Sequence, residues 1–213
     1  MSFRYRMDYA KLEGMRYTSN LDIHKMWERT FRRAKLPLVY SQGFHPQPKI
    51  QQANPLPLGF LSNNELVDFY LQEENSTEIL EKTISIAIPD GIKINSIHQI
   101  SSSEDTLQKQ TQASEYFVYF LETVNFPEIE TNIENILGKD EIIRTRRGKT
   151  YDLRPLIISL ELCKANDGFL KMVLSSRDGM TGRPDEVIKE LSIQFELTRI
   201  IRNKIIFSDP SLH

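Results

Sequence analysis

The sequence holds a single cysteine, Cys163, among 213 residues. One thiol closes no internal disulfide and cannot build a multi-thiolate metal or iron–sulfur site. It follows the apolar run 156–162, which predicts a buried, inert thiol rather than a nucleophile. No apolar stretch approaches the roughly 20 residues that a membrane span needs. The start, Met1-Ser2-Phe3-Arg4-Tyr5-Arg6, lacks the apolar region of a signal peptide. A cytoplasmic location with no membrane partner is therefore the expectation. Also missing are a glycine-rich phosphate loop with a following lysine, an HExxH pair, and any spacing that assembles a nucleophile with a base and an orienting acid. No bound cofactor and no metal are expected. Neither charge sign dominates: 27 Lys and Arg against 29 Asp and Glu leave a net charge of −2. Any nucleic-acid contact must come from local patches.

What is present suits an ordinary globular protein. Hydrophobic residues make up 39% and charged residues 26%, enough for one large domain or two lobes. Residues 3–15 alternate and carry aromatics, as a strand does. Ser19 or Asn20 caps a helix in which Leu21, Met26, Trp27 and Phe31 recur near helical spacing, and Pro37 ends it. A long loop over 40–62 follows, with a short strand at 50–53, and 65–72 alternates into another strand. Ser76 caps a helix over 78–87 with Ile79, Leu80, Ile84 and Ile88 inward. Pro89-Asp90-Gly91 is a turn, and 92–100 is a strand. The resulting order, β-α-β-β-α-β, is the ferredoxin-like plan. Residues 101–113 are polar and read as a linker or a solvated helix.

The second half repeats the theme loosely. It reads as a strand over 115–124, a helix over 127–137, a short extended piece at 141–145, strands at 156–163 and 169–174 around the turn Ala165-Asn166-Asp167-Gly168, a helix over 185–191 entered at Pro184, and a last strand over 200–207. The expected fold is α+β with two ferredoxin-like lobes, 1–100 and a decorated 114–213, joined by the 101–113 linker.

Two kinds of segment carry candidate chemistry. Residues 36–62 contain Pro37, Pro46, Pro48, Pro55 and Pro57, which stiffen the backbone without ladder hydrogen bonds. Such a loop holding Tyr40, Ser41, Phe44, His45 and Lys49 suits a shaped recognition site; a well-packed connector is the alternative. An imidazole side chain as a class can exchange protons near neutrality, so His45 is a candidate for an acid–base role or a structural hydrogen bond. Basic residues form the second kind. Arg29, Arg32, Arg33 and Lys35 lie near the end of the first helix, where cations also complement the dipole. Arg144, Arg146, Arg147 and Lys149 bracket Gly148, with Tyr151, Asp152 and Arg154 following, and Arg199, Arg202 and Lys204 add a third group. Arginine forks suit phosphate, and Tyr40, Phe44 and Tyr151 offer faces for unpaired bases. A solvated face is the alternative for each cluster. The run Ser175 to Arg183, with Arg177-Asp178-Gly179, is superficially similar to the arginine–aspartate–glycine neighbourhood of pseudouridine synthases, although a polar hairpin before Pro184 explains it as well.

With these residues in view, the chain resembles the radical-SAM-linked protein family, a bacterial domain of unknown function found alone or fused behind a cobalamin-binding radical SAM protein. The resemblance rests on Arg16 with Asp22, Arg32-Arg33-Ala34 before Leu36-Pro37, Tyr40-Ser41-Gln42-Gly43-Phe44-His45-Pro46, and Pro55-Leu56-Pro57-Leu58-Gly59 with Ser62, Glu65 and Asp68. It continues through Tyr151-Asp152-Leu153-Arg154-Pro155 and Arg183-Pro184. It implies partnership with a radical SAM enzyme, expected as a separate polypeptide because no cysteine triad is present, and an association with RNA. Three functions follow as expectations. The first is a non-catalytic RNA-binding or substrate-presenting subunit, whose ligand-binding residues are Arg32, Arg33, Tyr40, Ser41, Phe44, His45, Lys49, Arg144, Arg146, Arg147, Lys149, Arg154 and Arg183. The second is an enzyme acting on RNA bases through Asp152 or Asp178, and it needs one of them in a cleft with a basic rim. The third is a protein–protein adaptor, which needs an exposed apolar patch at Leu56, Leu58, Phe60 and Leu61.

Overall fold

The computed structural model describes residues 2–146, 148–164, 168–177 and 179–208. It is an α+β protein whose chain divides into two compact units, 1–111 and 112–213. In the first, β1 (Phe3–Lys11) leads through a short 3-10 turn to α1 (Asn20–Arg33), then β2 (Ile50–Gln52), β3 (Leu61–Leu71), α2 (Thr77–Ala87), β4 (Ile92–Ile100) and the single-turn α3 (Leu107–Gln110). The strands lie in the order β2-β3-β1-β4, every pair antiparallel.

The alternation of β1 sorts its side chains onto two faces. Tyr5, Met7 and Tyr9 join Val67, Phe69 and Leu71 of β3 in a core with Ile23, Trp27 and Phe31 of α1 and Leu80 and Ile84 of α2. Rings stack through it: Trp27 lies 4.8 Å from Tyr9 and 5.5 Å from Phe31, which lies 4.7 Å from Phe69. These are ordinary aromatic separations and add to the area buried. The inward stripe of α1 is Ile23, Trp27 and Phe31, at i, i+4 and i+8. Leu21 falls off that stripe and is exposed, as is Ile79 beside the buried Leu80, so both expected core residues stand outside the core. Ser19 caps α1 through the amide of Asp22. The helix stops at Arg33, ahead of Pro37, and Lys35 takes a left-handed φ of 53°. Gly91 closes the 89–91 turn at φ 87°; a Cβ there would stand 2.8 Å from the Met15 amide nitrogen.

The opposite face of β1 is charged and nevertheless buried. Arg6 stands directly across from Asp68 on β3, and Arg4 across from Tyr70, one diagonal step away. Asp68 is wholly buried and receives both guanidinium groups, Arg4 Nη2 at 2.6 Å and Arg6 Nε at 2.8 Å. The remaining donors fix the following segment. Arg4 donates to the carbonyls of Glu104 and Asp105, and Arg6 to the side-chain oxygen of Gln110. Residues 104–110, expected as part of a polar linker, are thus tied down, with Leu107 fully buried. The stretch is held to the buried arginines by two backbone carbonyls and the Gln110 side chain.

The second unit holds β5 (Thr111–Phe120), α4 (Phe126–Leu137), β6 (Ile143–Arg146), β7 (Lys149–Asp152), β8 (Ile157–Cys163), β9 (Phe169–Arg177), β10 (Met180–Thr181), α5 (Pro184–Glu190) and β11 (Thr198–Phe207). β9 lies between β5 and β8, β10 continues from it as a tight hairpin, and β11 flanks β5. Tyr116 and Val118 of β5, Leu170, Met172 and Leu174 of β9, and Ile129, Ile133 and Ile136 of α4 are buried. Cys163, at the end of β8, is partly exposed rather than buried, because the apolar alternation ends there. The expected turn at 165–167 lies outside the described residues. No helix among the described residues is long and apolar enough to cross a membrane.

Removing the Asp68 charge with Asp68→Asn leaves two buried guanidinium groups uncompensated. Urea unfolding should show a loss of about 3–5 kcal/mol. A loss below about 1 kcal/mol would mean that both arginines reach water.

Candidate functional site

In the first unit, residues 39–49 fold back on themselves. Ser41 and Gln47 exchange hydrogen bonds, the Lys49 amide donates to the Val39 carbonyl, and Tyr40 bridges to Pro48. Phe44 and His45 are exposed at the tip, Phe44 fully so, and Lys49 lays its ammonium 3.9 Å above the Tyr70 ring. Arg32 and Arg33 lie elsewhere on this unit, in a groove along α1 that contains no residue of the loop. The adaptor reading loses its patch, since Leu56, Phe60 and Leu61 are buried and only Leu58 is exposed. They pack inward as the Pro-rich segment leads into β3.

In the second unit, the basic cluster at 144–149 becomes the β6–β7 hairpin. Its register pairs Arg144 with Tyr151 and Arg146 with Lys149. Opposed residues and residues two apart share a face, so Arg144, Arg146, Lys149 and Tyr151 all project to one side. Arg147 and Asp178 lie outside the described residues. The sequence signal for this hairpin was present: a glycine, Gly148, between short alternating segments, at φ 76°. Only one of its two strands was expected.

At the base of the hairpin the cation is matched. Arg144 pairs with Glu190 on α5, which also receives Lys139 at 2.7 Å. The Tyr151 hydroxyl is buried close to Glu186 without reaching hydrogen-bond geometry. Burial first, and then the neighbouring carboxylate, push its pKa well above the ordinary tyrosine value. Arg154 is a staple: its Nη2 donates to the Leu137 carbonyl at 2.9 Å and its Nη1 to that of Ile157 at 3.3 Å. Asp152 is a cap, its Oδ1 accepting from the amides of Ile142 at 2.7 Å and Arg154 at 2.9 Å. That carboxylate oxygen is committed to holding the hairpin root.

Towards the tip the cations are unmatched. Arg146 and Lys149 face each other and have no carboxylate partner among the described residues. They form one wall of an open cleft of about 780 Å³ that also takes in Tyr151, Pro155, Met180 and Arg183. Arg183 is partly neutralised by Asp185 at 3.1 Å. Gly182 lets the backbones close beneath, since a Cβ there would stand 2.9 Å from the Leu156 carbonyl oxygen. The result is a concave surface with an apolar floor and a cationic rim, suited to holding an anion that carries a flat or apolar body. No group of three or more His, Cys, Asp or Glu that could hold a metal ion occurs among the described residues.

Residues 4–184 match the model of a family described as uncharacterized proteins conserved in bacteria (DUF2344). The chain belongs to that family. The match runs from β1 to the first residue of α5 and so includes the cleft. No curated protein matches the chain. Among solved structures, it is similar to a chain of a Cbf5-Nop10-Gar1 complex at TM-score 0.49 and 10% identity, covering 95% of this chain and 50% of that one. It is also similar to a chain of an H/ACA RNP bound to a substrate RNA containing 2'-deoxyuridine, at TM-score 0.46 and 9% identity, with 97% and 50% covered. A third likeness is to an unknown protein from Galdieria sulphuraria, at TM-score 0.30 and 13% identity, covering 98% of this chain and 100% of that one. The chain spans about half the length of the first two. At these identities and scores the likeness says nothing of chemistry.

Replacing the cap with Asp152→Ala strands two amide N–H groups and should cost about 1–3 kcal/mol in urea unfolding. Asp152→Asn keeps an acceptor oxygen and should cost clearly less. Equal losses in the two variants would show that charge, not capping, is what Asp152 supplies. Phenolate absorbance of wild type minus Tyr151→Phe should place the Tyr151 ionisation above that of a free tyrosine side chain. Ionisation at the free value would mean that the hydroxyl is solvated.

Proposed function

We propose that the chain is a non-catalytic RNA-binding, substrate-presenting partner of a radical SAM enzyme that modifies RNA, and that the cleft of the second unit receives the RNA. The supporting observation is the facing pair of Arg146 and Lys149. Like charges directly opposed on a hairpin destabilise it by roughly 0.2–1 kcal/mol, and no described carboxylate relieves them. A fold that keeps such a pair at the mouth of a cleft is organised for an external anion. Phosphate supplies the anion, and Tyr151, Pro155 and Met180 offer a surface for the attached base or sugar. The commitment of Asp152 to two backbone amides supports binding over catalysis at this place. The radical SAM partner is inferred from the sequence resemblance.

Fluorescence anisotropy with a labelled single-stranded RNA, read across a potassium chloride series, tests the binding. Affinity should fall with salt, and Arg146→Ala with Lys149→Ala should flatten the log–log slope by about 1.4, at about 0.7 for each phosphate no longer neutralised. A wild-type protein with no RNA affinity at low salt overturns the proposal. Capture from native lysate should yield RNA together with a protein that carries a radical SAM cysteine triad; RNA without such a protein would end the partnership while leaving the binding.

A further inference from the structure

The first unit has its own unmatched row of cations. The buried face of α1 is Ile23, Trp27, Thr30 and Phe31. One step round the helix, Lys25, Arg29, Arg32 and Arg33 line an open groove of about 610 Å³, with Met26 and Pro89 as its apolar floor and Asp22 at one end. The carboxylates of this helix are otherwise engaged. Asp22 accepts from the Ser19 hydroxyl at 2.6 Å, and Glu28 faces His24 at 3.5 Å. Arg33 closes the end of α2 by donating to the Ala87 carbonyl at 2.7 Å. Lys25, Arg29 and Arg32 have no ion-pair partner among the described residues. The helix dipole favours cations in the last turn, which accounts for Arg32 and Arg33 but not for Lys25 and Arg29 in the middle of the helix.

Their spacing is regular. Lys25 and Arg29 are four positions apart and Arg29 and Arg32 three, so at a rise of about 1.5 Å per residue the charges repeat at steps of about 6 and about 4.5 Å along one stripe. A repeating row of single cations fits a ligand that repeats single anions, and a flexible nucleic-acid strand can match the interval through its backbone torsions. We infer that the α1 groove is a track for the phosphate backbone of single-stranded RNA, gripping it without regard to base sequence. This rests on the proposal that the chain binds RNA, and it adds a second surface that joins Lys25, absent from every basic cluster read in the sequence, to Arg29 and Arg32.

The test compares three forms of the whole chain with a labelled oligouridylate of about 20 nucleotides. These are wild type, Lys25→Gln with Arg29→Gln and Arg32→Gln, and the charge-retaining control Arg29→Lys with Arg32→Lys. Arg33 is left in place because it caps α2. The glutamine variant should bind at least about tenfold more weakly at low salt, with a log–log salt slope shallower by about 2, at about 0.7 for each of three phosphates. The lysine control should keep most of the slope, and a mixed-sequence RNA should lose as much as oligouridylate. Thermal unfolding by circular dichroism should be unchanged, since the substituted side chains are solvent-facing; should the triple variant unfold, Arg29→Gln alone must still flatten the slope by about 0.7. A folded glutamine variant with wild-type slope overturns the track, even where the Arg146 and Lys149 variant loses affinity, in which case the cleft reading stands alone. Retained RNA binding with loss of affinity for an acidic peptide would assign the groove to a protein partner and overturn it equally. Wild-type protein that binds no RNA overturns both readings together.

Discussion

One buried carboxylate, that of Asp68, organises the first unit. Two guanidinium groups share it, and all three charged groups are buried. Burying charge is costly unless every donor is answered. Here the answer comes from the chain that follows β4: the carbonyls of Glu104 and Asp105 and the amide oxygen of Gln110. The strand pairing that builds the sheet and the anchoring of 104–110 are therefore one event. If the β1–β3 register slipped by one residue, Arg4 and Arg6 would turn into the aromatic core and Tyr5 and Met7 out of it. The cluster specifies register at least as much as it adds stability.

Against that background the unmatched charges acquire meaning. Four of the buried or half-buried arginines are answered at short range: Arg144 by Glu190, Arg154 by two carbonyls, Arg4 and Arg6 by Asp68. Arg146 and Lys149 at the hairpin tip, and Lys25, Arg29 and Arg32 on α1, have no such partner among the described residues. A solvated lysine is unremarkable on any surface. Cations that face each other across a hairpin, or that repeat along one helical stripe beside a groove, form a field that a polyanion would complete.

Much of this was legible in the sequence, and the failures have physical causes. Alternation and capping revealed β1, α1, α2 and β4, because Ser19 and Ser76 satisfy amides that only a helix start leaves open and Gly91 sits where a side chain would clash. The succession of these elements along the first unit followed. Inward faces were harder: Leu21 and Ile79 are apolar yet exposed, since which stripe of a helix faces the sheet depends on where the sheet lies. The burial of the β1 arginines was not legible, because burial of a charge is visible only once its partners, more than sixty residues away, are brought to it. The basic run 144–149 stands out as a cluster, but its division into a matched base and an unmatched tip depends on α5, which supplies Glu186 and Glu190.

The same division separates holding from reacting. Asp152 was one of the two aspartates that a catalytic reading offered, and it does stand at the cleft. Its Oδ1 nevertheless keeps the Ile142 and Arg154 amides in place, and through Arg154 the hairpin root is fastened to the end of α4. A reaction that protonated or moved this carboxylate would release the strand carrying Tyr151 and Lys149, dismantling the surface that had positioned the substrate. Chemistry prefers groups whose change of state leaves their supports intact. A structural carboxylate, a tyrosine pushed away from ionisation and unmatched charges that are cationic favour the proposed grip on an anion over catalysis at this place. On that proposed reading the bond-making atoms come from whatever meets the part of the ligand left outside the cleft.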